Sequence, residues 1–196
     1  MRLRFAGERS RVNGSHGPRR LLAVDLETTG MDASAEVLAI GTVPIEDGAI
    51  RLGRGTSTLV RPARHSAALG IAAHHLRPSD VIDAPPITDV LPHLLEAIAD
   101  ADALLVHHAP LDIRVLRRAC SVTGLNWPGP RIIDTVDLIG RVRRRQRAIG
   151  GGRHLPRDLQ GARSALGLPP HRAHDALADA VATAELYLVL RSRLAR

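Results

Sequence analysis

The chain of 196 residues contains no lysine, a single cysteine and three aromatic residues, Phe5, Trp127 and Tyr187. Each shortage excludes something. With Cys120 alone there is no internal disulfide, and a thiolate-based structural zinc site is disfavoured. In its helical pattern Cys120 reads as a small buried apolar residue. Three aromatics cannot build the multi-ring platform on which single-strand-binding modules stack bases. They also leave the core to Leu, Ile, Val and Ala. No apolar run approaches the roughly 20 residues that cross a bilayer, and the N-terminus lacks the apolar centre of a secretory signal. The expectation is a cytoplasmic protein with no membrane partner.

Because lysine is absent, the net charge of +7 comes from arginine. Guanidinium groups grip phosphate oxygens in pairs, so the excess suits a polyanionic partner. An arginine-rich solvated surface accounts for the charge equally well.

The length is that of one ordinary domain, able to bury roughly 70% of its unfolded surface. Residues 1–19 carry Arg2, Arg4, Arg9, Arg11 and Arg19 among Gly and Ser and read as a flexible basic extension. That leaves 20–196 as the folded domain. Strands are expected at 21–25, 36–44, 49–60, 103–106 and 131–133, the second and third joined across an Asp47-Gly48 turn signal. Helices are expected at 66–76, at 87–99, from Pro110, through Val136 and Ile139, from Pro156 to near Gly167, and over about 175–194. The run from Arg141 to Arg147, with Gly150-Gly151-Gly152, reads as a basic flexible break. Strands that first follow one another and then alternate with helices imply an α/β fold with a mixed five-stranded sheet flanked by helices.

Asp25 and Glu27 stand two residues apart at a strand end, on one face. At that spacing, about 6–7 Å, two carboxylates repel unless a cation lies between them, and hard oxygen ligands select Mg²⁺ or Mn²⁺. In isolation, a strand-capping Asp and a solvent-facing Glu are the stronger reading. Thr28-Thr29-Gly30 adds hydroxyls and a tight turn whose amides suit a phosphate or a terminal sugar hydroxyl. Asp112 falls in the first turn of a helix, where the dipole favours an anion. Asp179 lies in a mostly apolar helix, where a carboxylate is costly without a metal or an arginine as partner. His174, five residues earlier, suits proton removal from water at neutral pH.

Taken together, these motifs resemble the DEDDh 3′–5′ exonucleases, the family of the proofreading epsilon subunit of bacterial DNA polymerase III. Asp25-Leu26-Glu27-Thr28-Thr29-Gly30 matches the family's first motif letter for letter. His107-His108-Ala109-Pro110-Leu111-Asp112 resembles the second, with His108 for the usual Asn and Leu111 for the usual Phe. His174 and Asp179, in the context Ala176-Leu177-Ala178-Asp179-Ala180, match the third; His171 has Ala176 five residues beyond it and is set aside. The resemblance spans roughly 20–195.

It implies a ribonuclease H-like fold, two Mg²⁺ or Mn²⁺ ions on Asp25, Glu27, Asp112 and Asp179, and His174 as general base. It also implies that Leu26, Thr28, Thr29, His75 and His108 surround the terminal nucleotide. The implied reaction is hydrolysis from a single-stranded or frayed 3′ end to 5′-mononucleotides, DNA slightly favoured over RNA, with a DNA polymerase subunit as a partner. His108 provides one hydrogen bond where an amide provides a donor and an acceptor, so substrate positioning is what this departure touches. A phosphatase using Asp25 as nucleophile would want a second Asp in place of Glu27 and a downstream lysine. A non-catalytic module of the same fold would have lost ligands that are all present here.

Overall fold

The computed structural model describes residues 18–63, 76–148, 150 and 155–195. The expected extension 1–19 and helix 66–76 lie outside the described residues, apart from 18, 19 and 76. Six strands form one mixed sheet: β1 (Arg20–Thr28), β2 (Val37–Glu46), β3 (Ala49–Ile50), β4 (Thr56–Leu59), β5 (Ala103–Val106) and β6 (Ile132–Asp134). Their order is β3-β2-β1-β5-β6, with β4 also paired to β2. β2 runs antiparallel to β1, setting Gly41 opposite Asp25 and Ala39 opposite Glu27. β5 and β6 continue the sheet in parallel.

The sequence predicts five strands, with a single one over 49–60. That segment is instead broken by a 3₁₀ turn at Leu52–Arg54, where Gly53 and Gly55 weaken an extended chain. The ten-residue β2 is long enough to carry both pieces in line, β3 beside Ile45 and Glu46 and β4 beside residues 39–42.

The helices are α1 (Pro78–Val81), α2 (Ile87–Asp100), α3 (Ala109–Thr123), α4 (Thr135–Ala148), α5 (Leu159–Ala165) and α6 (Ala176–Ala195). The expected flexible break from Arg141 to Arg147 is part of α4. A buried stripe of Val136, Ile139 and Val142 runs on through the arginines, and arginine is itself a good helix former. α5 starts at Leu159 rather than Pro156, because Asp158 caps it by accepting the Gly161 N–H at 2.7 Å. Among the described residues no helix is long and apolar enough to cross a membrane.

Strand alternation on β1 splits the core in two. Leu22, Val24 and Leu26 pack with Leu91, Ile98, Val115 and Leu116 of α2 and α3, where Cys120 is also buried. Leu21 and Ala23, on the other face, pack with Val43 and with Ala180, Ala184 and Tyr187 of α6. Tyr187 is the one aromatic in the buried core among the described residues. The small side chains of Ala180 and Ala184 let α6 lie close to the sheet. At Gly41 the approach is closer still: the main chain of Ala176 and Leu177 fills the space a β-carbon would need. Asp25 and Glu27 share the face of Leu21 and Ala23, so they emerge under the first turn of α6.

Candidate active site

Three segments bring acidic side chains to the ends of β1 and β5. The first is β1 itself, with Asp25 half-buried and Glu27 buried. The second is the start of α3. His108, just ahead of it, has φ 67° and ψ 57°, a left-handed conformation, and its side chain makes no capping hydrogen bond. The cap comes from the end of β6, where the Asp134 carboxylate accepts the main-chain N–H of His108 at 3.0 Å and of Ala109 at 2.9 Å. The same carboxylate accepts the Val136 N–H at 2.8 Å, opening α4. Asp112 then falls in the first turn of α3 and is only 5% exposed.

The third segment is the loop leading into α6. His174 also has a positive φ, 63°, and its main-chain N–H donates to Asp179 Oδ2 at 2.8 Å. Nitrogen or oxygen atoms of Glu27, His174 and Asp179 all lie within 4.8 Å of one another. The loop is tied down by Arg163, which is 2% exposed. Its guanidinium donates to the carbonyls of Ala182 and Pro169 at 2.8 and 2.9 Å and pairs with Glu185 at 2.7 Å.

The carboxylates perturb one another. Burial, and then the charges of Asp112, Asp179 and Glu27, hold the Asp25 carboxyl well above the usual range. Burial, with Asp179 and Asp175, pushes Glu27 up to about 7. Burial, with Asp134 and Glu27, pushes Asp112 up to about 8. Every influence on these three acts in the same direction. Such a cluster is costly to ionise without a counter-charge, and its hard oxygen donors fit a small divalent cation.

The other predicted residues fall as follows. Leu26 is 7% exposed and packs into the α2–α3 core, on the opposite face from Asp25 and Glu27. Thr28 Oγ1 donates to the Gly30 carbonyl at 2.8 Å. The Thr29 N–H donates to the Glu36 carbonyl at 2.9 Å, and its hydroxyl accepts the Glu36 N–H at 3.0 Å. These groups therefore close their own loop. His108 is exposed at the start of α3, and His75 lies outside the described residues. His171, set aside on spacing, stands with Nε2 2.7 Å from Asp179 Oδ1, its side chain only 10% exposed. Both Asp179 oxygens thus have partners from the same loop. The turn at His174 folds the loop back on itself, which linear spacing does not reveal.

Residues 22–187 match the family model for the RNase T type of exonuclease. The chain belongs to that exonuclease family. Like other members it carries the ribonuclease H-like sheet: it superposes on exonuclease I in its apo form with a TM-score of 0.77 at 16% identity, over 92% of this chain and 43% of that one. It is also similar to exonuclease X in complex with 5′-overhanging duplex DNA, with a TM-score of 0.66 and 26% identity over 90% of this chain and 93% of that one. A curated relative, the DNA polymerase III subunit epsilon-like protein of Rhodobacter capsulatus, is 33% identical over 168 residues. That match takes in 85% of this chain and spans 23% of the relative's length.

Proposed function

We propose that residues 20–196 form a divalent-metal-dependent 3′–5′ exonuclease domain. It hydrolyses DNA, in preference to RNA, from a single-stranded or frayed 3′ end to nucleoside 5′-monophosphates. The observation that carries this reading is the convergence of Asp25, Glu27 and Asp112, each with a raised carboxyl pKa, beside the grouped Glu27, His174 and Asp179.

In this reading Asp25, Glu27, Asp112 and Asp179 would hold two Mg²⁺ or Mn²⁺ ions, which lower the pKa of water and offset charge developing on the phosphate. The His174 imidazole, exposed to solvent, removes the proton from the attacking water. Its main-chain bond to Asp179 keeps the ring beside the carboxylates. His108, exposed at the start of α3, and the 28–30 turn receive the terminal nucleotide. Scarce aromatics disfavour recognition of splayed RNA bases by ring stacking. The DNA bound to exonuclease X and the epsilon-like name of the Rhodobacter relative support DNA as substrate and a polymerase subunit as partner.

The test is digestion of matched DNA and RNA oligonucleotides, labelled at the 5′ end, with Mg²⁺. Stepwise shortening from the 3′ end with release of nucleoside 5′-monophosphates, faster on DNA, is expected. Inorganic phosphate as the sole product, or binding with no product, would overturn the reading. Faster digestion of RNA would overturn the DNA preference.

A further inference from the structure

Away from the carboxylates, Arg141, Arg143 and Arg144 of α4 and Arg157 just ahead of α5 line an open cleft of about 400 Å³. The lining includes one acid, Asp137. Arg141, Arg144 and Arg157 are exposed and pair with no carboxylate among the described residues. Gly140 also lines the cleft, and an Arg144 guanidinium nitrogen lies over it, 3.5 Å from where a β-carbon would stand.

The helix dipole accounts for cations in the last turn of α4. Arg145 and Arg147 are there, and Arg145 further donates to the Leu194 carbonyl at 2.7 Å. Arg141 and Arg144 lie earlier in the helix, and Arg157 is on another segment, so the dipole does not explain them. Guanidinium groups gathered in one cleft repel one another. The arrangement becomes favourable when an anionic chain enters.

The cleft is coupled to the site by short links. Asp134, which caps α3 ahead of Asp112, also caps α4. His107 Nδ1 lies 2.7 Å from Thr135 Oγ1, and the Arg157 main chain acts electrostatically on the same ring.

We propose that this cleft binds the phosphodiester backbone of the strand whose end lies at the carboxylates, an inference that rests on the nuclease reading above. Guanidinium forks match phosphate oxygens bidentately. Contacts of this kind carry no sequence information, as an enzyme that shortens any strand requires. With no ring platform in the chain, backbone contact is the available source of strand affinity.

The test uses the full chain with the pair Arg141→Glu and Arg144→Glu, and with the milder pair Arg141→Gln and Arg144→Gln. Binding of a fluorescent single-stranded oligonucleotide is followed by anisotropy with Ca²⁺ in place of Mg²⁺, over a range of salt. Hydrolysis of the p-nitrophenyl ester of thymidine 5′-monophosphate reports the site without a strand. For the Glu pair, oligonucleotide affinity should fall about 10-fold, and the slope of log affinity against log salt should shrink by about 1.4, or ~0.7 for each phosphate no longer neutralised. The Gln pair should change both in the same direction. The ratio of oligonucleotide to ester kcat/KM should fall by a similar factor.

Unchanged affinity and slope in both variants would overturn the proposal. So would a loss of ester hydrolysis equal to the loss on oligonucleotide, which would place the arginines' effect at the carboxylates. A cleft that binds polyglutamate but whose reversal leaves oligonucleotide affinity intact would belong to an acidic protein partner, also overturning it. Failure of the nuclease reading would look different: no hydrolysis of either substrate by the unaltered chain, with the binding measurement still readable.

Discussion

Gly41 of β2 and Ala176 of α6 share one space: where a side chain at 41 would stand, the main chain of Ala176 already lies. Gly41 is also the residue opposite Asp25 in the sheet. Its missing side chain therefore sets how closely the turn carrying Asp179 approaches Asp25. Gly41→Ala should cost about 3 kcal/mol through overpacking, lowering Tm by about 6–12 °C for a chain of this size, and should raise the Mg²⁺ concentration needed for activity. Gly53→Ala, with open space around it, is the control and should leave Tm nearly unchanged. Thermal denaturation and a Mg²⁺ titration read both effects.

The raised carboxyls predict an inverted pH dependence of stability without metal. Glu27 at about 7 and Asp112 at about 8 hold protons in the folded state that the unfolded chain releases near pH 4. The folded state therefore binds more protons between these limits, and stability falls as pH rises through the window. With EDTA present, Tm should drop from pH 5 to pH 8.5, and Asp112→Asn should flatten the slope. Mg²⁺ should raise Tm more at the alkaline end. A chelated protein that grows more stable over this range would contradict the clustering.

Replacing His174 by Ala should reduce turnover about 10²–10⁴-fold, the usual worth of a general base, while Mn²⁺ binding measured by calorimetry persists. The imidazole lies close enough to Glu27 and Asp179 to serve as a ligand instead. Loss of Mn²⁺ affinity in parallel with turnover would assign it that role.

His171→Ala removes the imidazole from Asp179 Oδ1. Partners that orient a metal-binding carboxylate are typically worth about 10–100-fold in metal affinity. The expected result is an activity curve displaced to higher Mg²⁺ with its plateau largely retained. A lowered plateau at unchanged half-saturation would mean that His171 acts elsewhere.

His108 occupies a left-handed backbone position, which Asn, Asp and His tolerate better than most residues and which β-branched residues resist. His108→Val should destabilise by about 1–2 kcal/mol, and His108→Asn should be neutral, as read by urea denaturation. Equal stability of the two variants would show that the backbone conformation places no demand on this side chain.

The first turn of α3 with Asp112, the shared face of Asp25 and Glu27, and the helix carrying Asp179 are legible because each follows from a local period or a helix boundary. Other features depend on contacts between distant segments. The split of 49–60 into two strands depends on the length of β2. The first half of α4 is legible through Val136 and Ile139, whereas its second half is obscured by the run of arginines, in which Val142 alone continues the buried stripe. The closeness of His171 to Asp179 depends on a single left-handed residue, which no spacing rule records. The left-handed backbone at His108 likewise places a demand on that position that a comparison of side-chain hydrogen bonds does not supply.

Asp134 accepts three main-chain N–H groups, two at the start of α3 and one at the start of α4. Neither helix can fray its first turn without loosening the acceptor on which the other depends. Asp112 and the α4 arginines Arg141 and Arg144 therefore stand on two helices that share one cap, so their main chain is already set relative to each other and the binding step has only the exposed arginine side chains to order.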